Sequence, residues 1–488
     1  MFKTVSLLLL GLSLIAGFGP AWSGWDESEA AYRRGDYTTA FRHWQSLAKH
    51  GDVGAQYDVG VMLHQGLGVP RDDARAVHWF RQAAEQGYAM ADYGLGYMYQ
   101  EGHGVPQDAR EAAKWYRRAA QQGLAEAQFN LGLMYLEGAG IGTDIAEALK
   151  WLTPAAEQGL VEAQFHLGYL YAEGRGVSQD YREAVKWYRA AAERGLVRAQ
   201  LNLGVLNTKA QTYSEAVKWY RAAAERGHVK AQYYLGLMYS EGQGVPQDAE
   251  QALHWYKASA EQGFARAQFA LGRLHEQGVA VPQDSATAIR WYRLAAQQDD
   301  IEAQLRLGQI YNEGIGVAQN GNEAVNWFRQ AAMQGDAEAQ FKLGVMYKNG
   351  VGVPQDMAEA ARWYRAAAEQ GYAKAQNNLG YMYGTGNGVP QDYVLAHLWY
   401  NQAGANGIEL GIKNRDKLAR EMTSAQIAMA QRLAREWMAR CEDTGSGRLS
   451  ATQTVSSDVS TIESALQSGP PAAGPATRAP HQDAESSP

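Results

Sequence analysis

An Ala-Gln pair recurs along the chain at Ala55, Ala127, Ala163, Ala199, Ala231, Ala267, Ala303, Ala339 and Ala375, with Ala91-Asp92 standing in once. The step is 36 residues everywhere except from Ala199 to Ala231, where it is 32. Tryptophan keeps the same step at Trp79, Trp115, Trp151, Trp187, Trp219, Trp255, Trp291, Trp327, Trp363 and Trp399, with Trp44 in a partial unit ahead of them. Such a period constrains the fold more than any single motif. One unit cannot bury its apolar face alone, so neighbours must stack to complete it.

Each unit reads as two helices. In "DAEAQFKLGVMYKN" (Asp336 to Asn349), Phe341, Leu343, Met346 and Tyr347 recur at helical spacing. In "DMAEAARWYRAAAEQ" (Asp356 to Gln370), Ala360, Trp363, Tyr364, Ala367 and Ala368 form the apolar face. Between helices, Gly102 and Gly104 suit the left-handed turn that ends a helix. Asp108 is the expected N-cap, with Glu111 completing a capping box. The same spacing recurs at Asp144 and Glu147, Asp180 and Glu183, and Asp356 and Glu359. A further glycine lies five residues after every marker alanine, from Gly60 to Gly380. Mid-helix glycine costs about 1 kcal/mol against alanine, so each is expected at a close helix contact where a methyl group would clash. Gly236→Leu should loosen the array.

Hydrophobic residues make up 46% of the chain, enough to bury a core, and the abundance of Ala with few β-branched residues favours packed helices. The net charge of −7 argues against a nucleic-acid binder, which would present a basic face.

Units such as "AEAQFNLGLMYLEGAG" and "REAVKWYRAAAERG" resemble Sel1-like repeats, relatives of tetratricopeptide repeats with a longer connector. The likeness runs from about Trp25 to Gln402. The resemblance implies an all-α, right-handed superhelical solenoid of about ten to eleven helix-turn-helix units, whose first helices line a concave groove. It also implies an adaptor for another protein rather than an enzyme. Cysteine-rich relatives linked to β-lactam chemistry carry a disulfide in every unit, and this chain has one cysteine, so nothing carries over. The unit from Ala199 departs from the pattern by lacking the glycine-rich connector, which reads as a tolerated loop deletion or as a change of curvature. Ala280 replaces the second connector glycine.

The ends differ from the array. Residues 1–23 have the layout of a secretory signal peptide: Lys3, an apolar run from Val5 to Phe18 too short to span a bilayer, then Ala21 and Ser23 before Gly24. Residues 24–51 read as an N-terminal capping helix pair, 52–402 as the array, 403–443 as C-terminal capping helices with a Thr423–Gln426 capping box, and 444–488 as a disordered tail. Export to the periplasm is expected, with secretion as the alternative and no stable membrane insertion after cleavage. Cys441 cannot build an internal disulfide.

No catalytic, cofactor or metal motif emerges. The histidines lack metal spacing, and the glycine strings follow helices rather than strands. Binding is therefore sought at positions three and six after the marker, which lie off the packed face and vary between units. These give Tyr97, Asn130, His166, Tyr169, Asn202, Tyr234, Arg273, Arg306, Gln309, Lys342, Asn378 and Tyr381. Tyr, Asn and Arg are what protein interfaces favour. Arg273, Arg306 and Lys342 suit an acidic protein segment, whereas Tyr with Asn also suits a glycan, hence an envelope polysaccharide or peptidoglycan.

Overall fold

The computed structural model describes residues 25–443, so the expected signal peptide and tail lie outside it, as does the side chain of Cys441. Among the described residues every regular element is an α-helix. The chain divides into two compact units between Trp255 and Tyr256.

In the first unit, Trp25–Arg33 and Tyr37–Lys49 pair, and repeats follow as a first helix such as Ala89–Glu101 and a second such as Ala109–Gln121. In the second unit, Ile301–Glu313 with Gly321–Met333 and Ala337–Asn349 with Met357–Glu369 follow the same plan. Most helices are 13 residues, about 20 Å long. The two helices of a repeat pack on each other, and the second also packs on the first helix of the next repeat. The expected helix-turn-helix architecture is therefore what the chain adopts.

The mid-helix glycines sit where a methyl group has no room. A Cβ on Gly96 would stand 2.5 Å from Tyr116 Cδ1, and one on Gly344 would stand 2.8 Å from the Tyr364 ring. The same contact joins Gly168 to Tyr188, Gly272 to Tyr292 and Gly308 to Phe328. Fully burying such a ring contributes about 1.5–3 kcal/mol, which offsets the glycine's helix penalty. In most repeats the tryptophan that marks the register is less buried than the ring after it, Trp219 and Trp399 being themselves buried. Trp115, Trp187, Trp327 and Trp363 are only partly buried, whereas Tyr116, Tyr188, Phe328 and Tyr364, one residue on, are fully covered.

Half of the expected capping box forms. Asp108 Oδ1 accepts from the backbone N–H of Arg110 and Glu111 at 2.9 and 3.1 Å. The reverse bond from Glu111 is absent, because the Asp108 N–H already donates to the Tyr99 carbonyl at 2.9 Å. The glutamate turns instead to the lysine three residues on: Lys150 Nζ donates to Glu147 at 2.9 Å and Lys186 Nζ to Glu183 at 3.0 Å. A full box forms at Thr423, whose N–H donates to Gln426 Oε1 at 2.9 Å while its Oγ accepts from the Gln426 N–H at 3.3 Å.

The connectors also follow from glycine. Gly102 and Gly104 have φ of 74° and 68°, and a Cβ on Gly104 would run into the backbone of Asp73 in the repeat before. Ala280 takes φ 60° at the equivalent position, a left-handed conformation that a side chain resists. In the short repeat, Val197–Lys209 turns directly into Tyr213–Ala224, with Gln211 at φ 57° and Thr212 Oγ1 donating to Asn207 Oδ1 at 2.8 Å. At the end of the second unit, Leu418, Met422, Leu433 and Trp437 are buried with Trp399, and the two tryptophan rings meet at 5.3 Å.

Candidate binding face

A buried polar ladder holds one end of several repeats in place, and is interrupted at Asp92 and where Arg194 and Arg226 replace the second glutamine. The glutamine after the marker alanine donates backwards to a helix carbonyl and accepts forwards from a second glutamine. Gln128 Nε2 donates to the Ala120 carbonyl at 3.2 Å, and Gln158 Nε2 donates to Gln128 Oε1 at 2.9 Å. In the second unit Gln340 Nε2 donates to Ala332 at 3.2 Å and Gln370 Nε2 to Gln340 Oε1 at 2.9 Å. A second inter-repeat bond runs from the arginine of "WYR" or "WFR" to a tyrosine eighteen residues on, as from Arg81 to Tyr99 at 2.7 Å and from Arg329 to Tyr347 at 2.9 Å. These contacts are internal, and they leave the outer row of the first helices to carry variable chemistry.

In the first unit that row is mostly built into its surroundings. Tyr97 is half-buried, its ring 5.7 Å from His64 and 5.8 Å from His103. Asn130 lies beside the phenols of Tyr93 and Tyr116. His166 packs between Phe129 and Phe165, and burial together with Arg198 pushes its pKa down to about 4, so the ring is neutral at pH 7. Asn202 Nδ2 donates to the Tyr188 hydroxyl at 3.1 Å. Tyr234 stacks on Tyr220 at 5.3 Å, and Tyr169 is half-buried.

In the second unit the three cations differ from one another. Arg273 is exposed and Lys342 is half-buried. Arg306 is already paired: its Nε donates to both oxygens of Glu276 at 3.0 and 3.1 Å, and its Nη1 to Gln309 Oε1 at 3.0 Å. Arg306 and Gln309 are thus brought together, and Glu276 neutralises the cation. Asn378 lies beside the Tyr364 phenol, and Tyr381 is 49% exposed. Sequence reasoning passed over Glu276, which sits nine residues after its marker. The available signal was charge complementarity between that position and the third position of the next repeat, 30 residues on.

Among the described residues, no group of three or more His, Cys, Asp or Glu is placed to hold a metal ion, and no helix is long and apolar enough to cross a membrane.

The Sel1 repeat model matches this chain eleven times, contiguously from residues 29–52 to residues 373–408. The chain belongs to the Sel1 repeat family. The partial unit around Trp44 counts as the first of these Sel1 repeats. The crystal structure of c5321, a protective antigen of uropathogenic Escherichia coli, is 37% identical, covers 85% of this chain and 98% of its own, and superposes with a TM-score of 0.55. A Sel1 repeat protein from Oxalobacter formigenes is 38% identical over 62% of this chain and 89% of its own, also at a TM-score of 0.55. Rat DAP3-binding cell death enhancer 1 is 49% identical over 45 residues, which span 9% of each chain. The protein is thus a Sel1 repeat solenoid, an architecture typical of protein-interaction scaffolds.

Proposed function

We propose that this protein is an exported, non-enzymatic adaptor that binds a partner protein along the first-helix face of its repeats. The reading is carried by the contrast between conserved-in-register packing and a variable outer row. Glycine, glutamine and the covered aromatic recur in repeat after repeat, while the third and sixth positions run through Tyr, Asn, His, Arg and Lys. In the second unit the row offers Arg273, exposed, and Lys342, half-buried, for an acidic partner segment. Such rim cations steer association and fix register more than they add affinity.

Residues 1–23, with Lys3 and the apolar run to Phe18, support export. The periplasm is the proposed compartment, and N-terminal sequencing of a periplasmic fraction should begin at Gly24. The partner reading is tested by crosslinked capture from an envelope extract, with the full chain against Arg273→Glu with Lys342→Glu. Arg306 stays unchanged, because reversing it would strand Glu276. A partner captured by the wild type and lost by the variant supports the reading; capture indifferent to the charges removes it. A glycan ligand is the second reading, supported by exposed Tyr381 one turn from Asn378. A soluble peptidoglycan fragment that shifts the Tyr381 signal, with no protein captured, would favour it.

A further inference from the structure

Two equivalent tyrosines of the second unit differ in what meets the hydroxyl. The hydroxyl of fully buried Tyr292 donates to Glu276 Oε2 at 2.8 Å, and Arg306 donates to the same carboxylate from the next repeat. Two repeats on, 72 residues along, the same three register positions hold Tyr364, Lys348 and Asn378. The tyrosine is retained and just as buried. The acceptor is gone, because lysine stands where the glutamate stood. Tyr364 OH is accordingly buried with no acceptor for its proton. The Asn378 amide hydrogen-bonds toward the phenol oxygen as a donor, as Asn202 does to Tyr188, and leaves that proton unmet.

An unmet buried hydroxyl loses its hydration without compensation, and native structures seldom keep one without a reason. Phenylalanine fills the equivalent place at Phe80 and Phe328, so packing alone does not require the oxygen. Around Tyr364 the register gathers a phenol, an amide and the ammonium groups of Lys348 and, one repeat earlier in the row, Lys342, and no carboxylate. What this set lacks is an anionic acceptor.

Resting on the acidic-partner reading above, we propose that Tyr364, Lys348 and Asn378 form an anchor for one carboxylate of an acidic peptide segment. The partner supplies in trans the group that Glu276 supplies in cis. The phenol donates to one carboxylate oxygen, and the lysine and asparagine donate to the other. Lys348 and Asn378 are only half-buried, so these side chains move aside to admit the incoming group. Hydrogen bonds to a charged acceptor are the strong ones, which gives a single such anchor a measurable share of affinity.

The test is anisotropy of a fluorescein-labelled oligoglutamate peptide titrated with the full chain at low salt, with a thermal melt of each variant. The wild type binds. Tyr364→Phe weakens binding about tenfold and leaves the melting temperature unchanged or higher, since it deletes only an unmet hydroxyl. Tyr292→Phe does the reverse: its melting temperature falls and binding stays. Lys348→Glu abolishes binding and raises the melting temperature, because it rebuilds the Glu276 arrangement. Wild-type binding by Tyr364→Phe, with binding lost in Arg273→Glu plus Lys342→Glu, would keep the acidic-partner reading and overturn the anchor. A lower melting temperature for Lys348→Glu would also overturn it. No binding by the wild type would remove both.

Discussion

At the scale of single residues, Asp92 is the clearest conflict in the molecule. It takes the place of the ladder glutamine and is completely buried. As a carboxylate it cannot donate to the Ala84 carbonyl, so Arg118 does so at 2.9 Å and stands 3.3 Å from Asp92, while Gln122 donates to Oδ2 at 3.0 Å. Burial outweighs these partners and pushes the Asp92 carboxyl up to about 6. The folded chain therefore holds this proton more tightly than the unfolded chain, whose group titrates near 3.8. Its contribution is fully present below that pH and is lost as pH rises through about 6. Asp92→Asn removes the dependence. The melting temperature of the variant should exceed that of the wild type at pH 7, and the gap should close as both are taken to pH 4. Ala280 tests backbone strain in the same way. Ala280→Gly relieves a left-handed alanine at φ 60°, worth about 1 kcal/mol after the added chain entropy, and should raise the denaturation midpoint slightly.

At the scale of the element, the helix pair is held by the glycine-to-ring contact more than by helix propensity. Gly96→Ala gains about 1 kcal/mol of propensity but drives a methyl group into Tyr116, and overpacking costs about 1–3 kcal/mol. The expected net result is a lower urea midpoint, and a raised one would mean that Tyr116 can move away. This contact was legible in the sequence, because a penalty repeated at a fixed register demands a compensating contact. The helix pairs, their caps and the left-handed glycines were legible for the same reason: local chemistry sets them. Three things were not. Trp363 and Tyr364 were placed together on the apolar face, whereas only Tyr364 is fully covered, since period alone does not say which of two adjacent rings is the more deeply buried. The capping glutamates were given a backbone partner that the connector had already taken, through bonds such as Asp108 to Tyr99. Arg306 was read as a free cation because its partner, Glu276, lies 30 residues away in sequence, on the preceding first helix.

At the scale of the whole molecule, stability should be local. Repeats touch their neighbours through consecutive helices, reinforced in much of the array by the ladder and the arginine–tyrosine bonds, and the stronger element contacts stay within about one repeat length. A chain built this way behaves as a row of coupled units rather than as one two-state domain. A lesion in one compact unit should then leave the other protected. Gly96→Ala lies in the first unit and Gly344→Ala in the second, and each faces a buried tyrosine at comparable distance. Hydrogen exchange followed by peptide should show the first variant losing protection around Tyr116 and its flanking repeats, with the peptides around Tyr364 unchanged, and the second variant showing the converse. Their free-energy costs should add in the double variant, because sites without shared partners do not couple. Loss of protection throughout the chain from either substitution would mean that the repeats melt as a single body. The anchor at Tyr364 would then answer to substitutions anywhere in the array, rather than to its own three side chains.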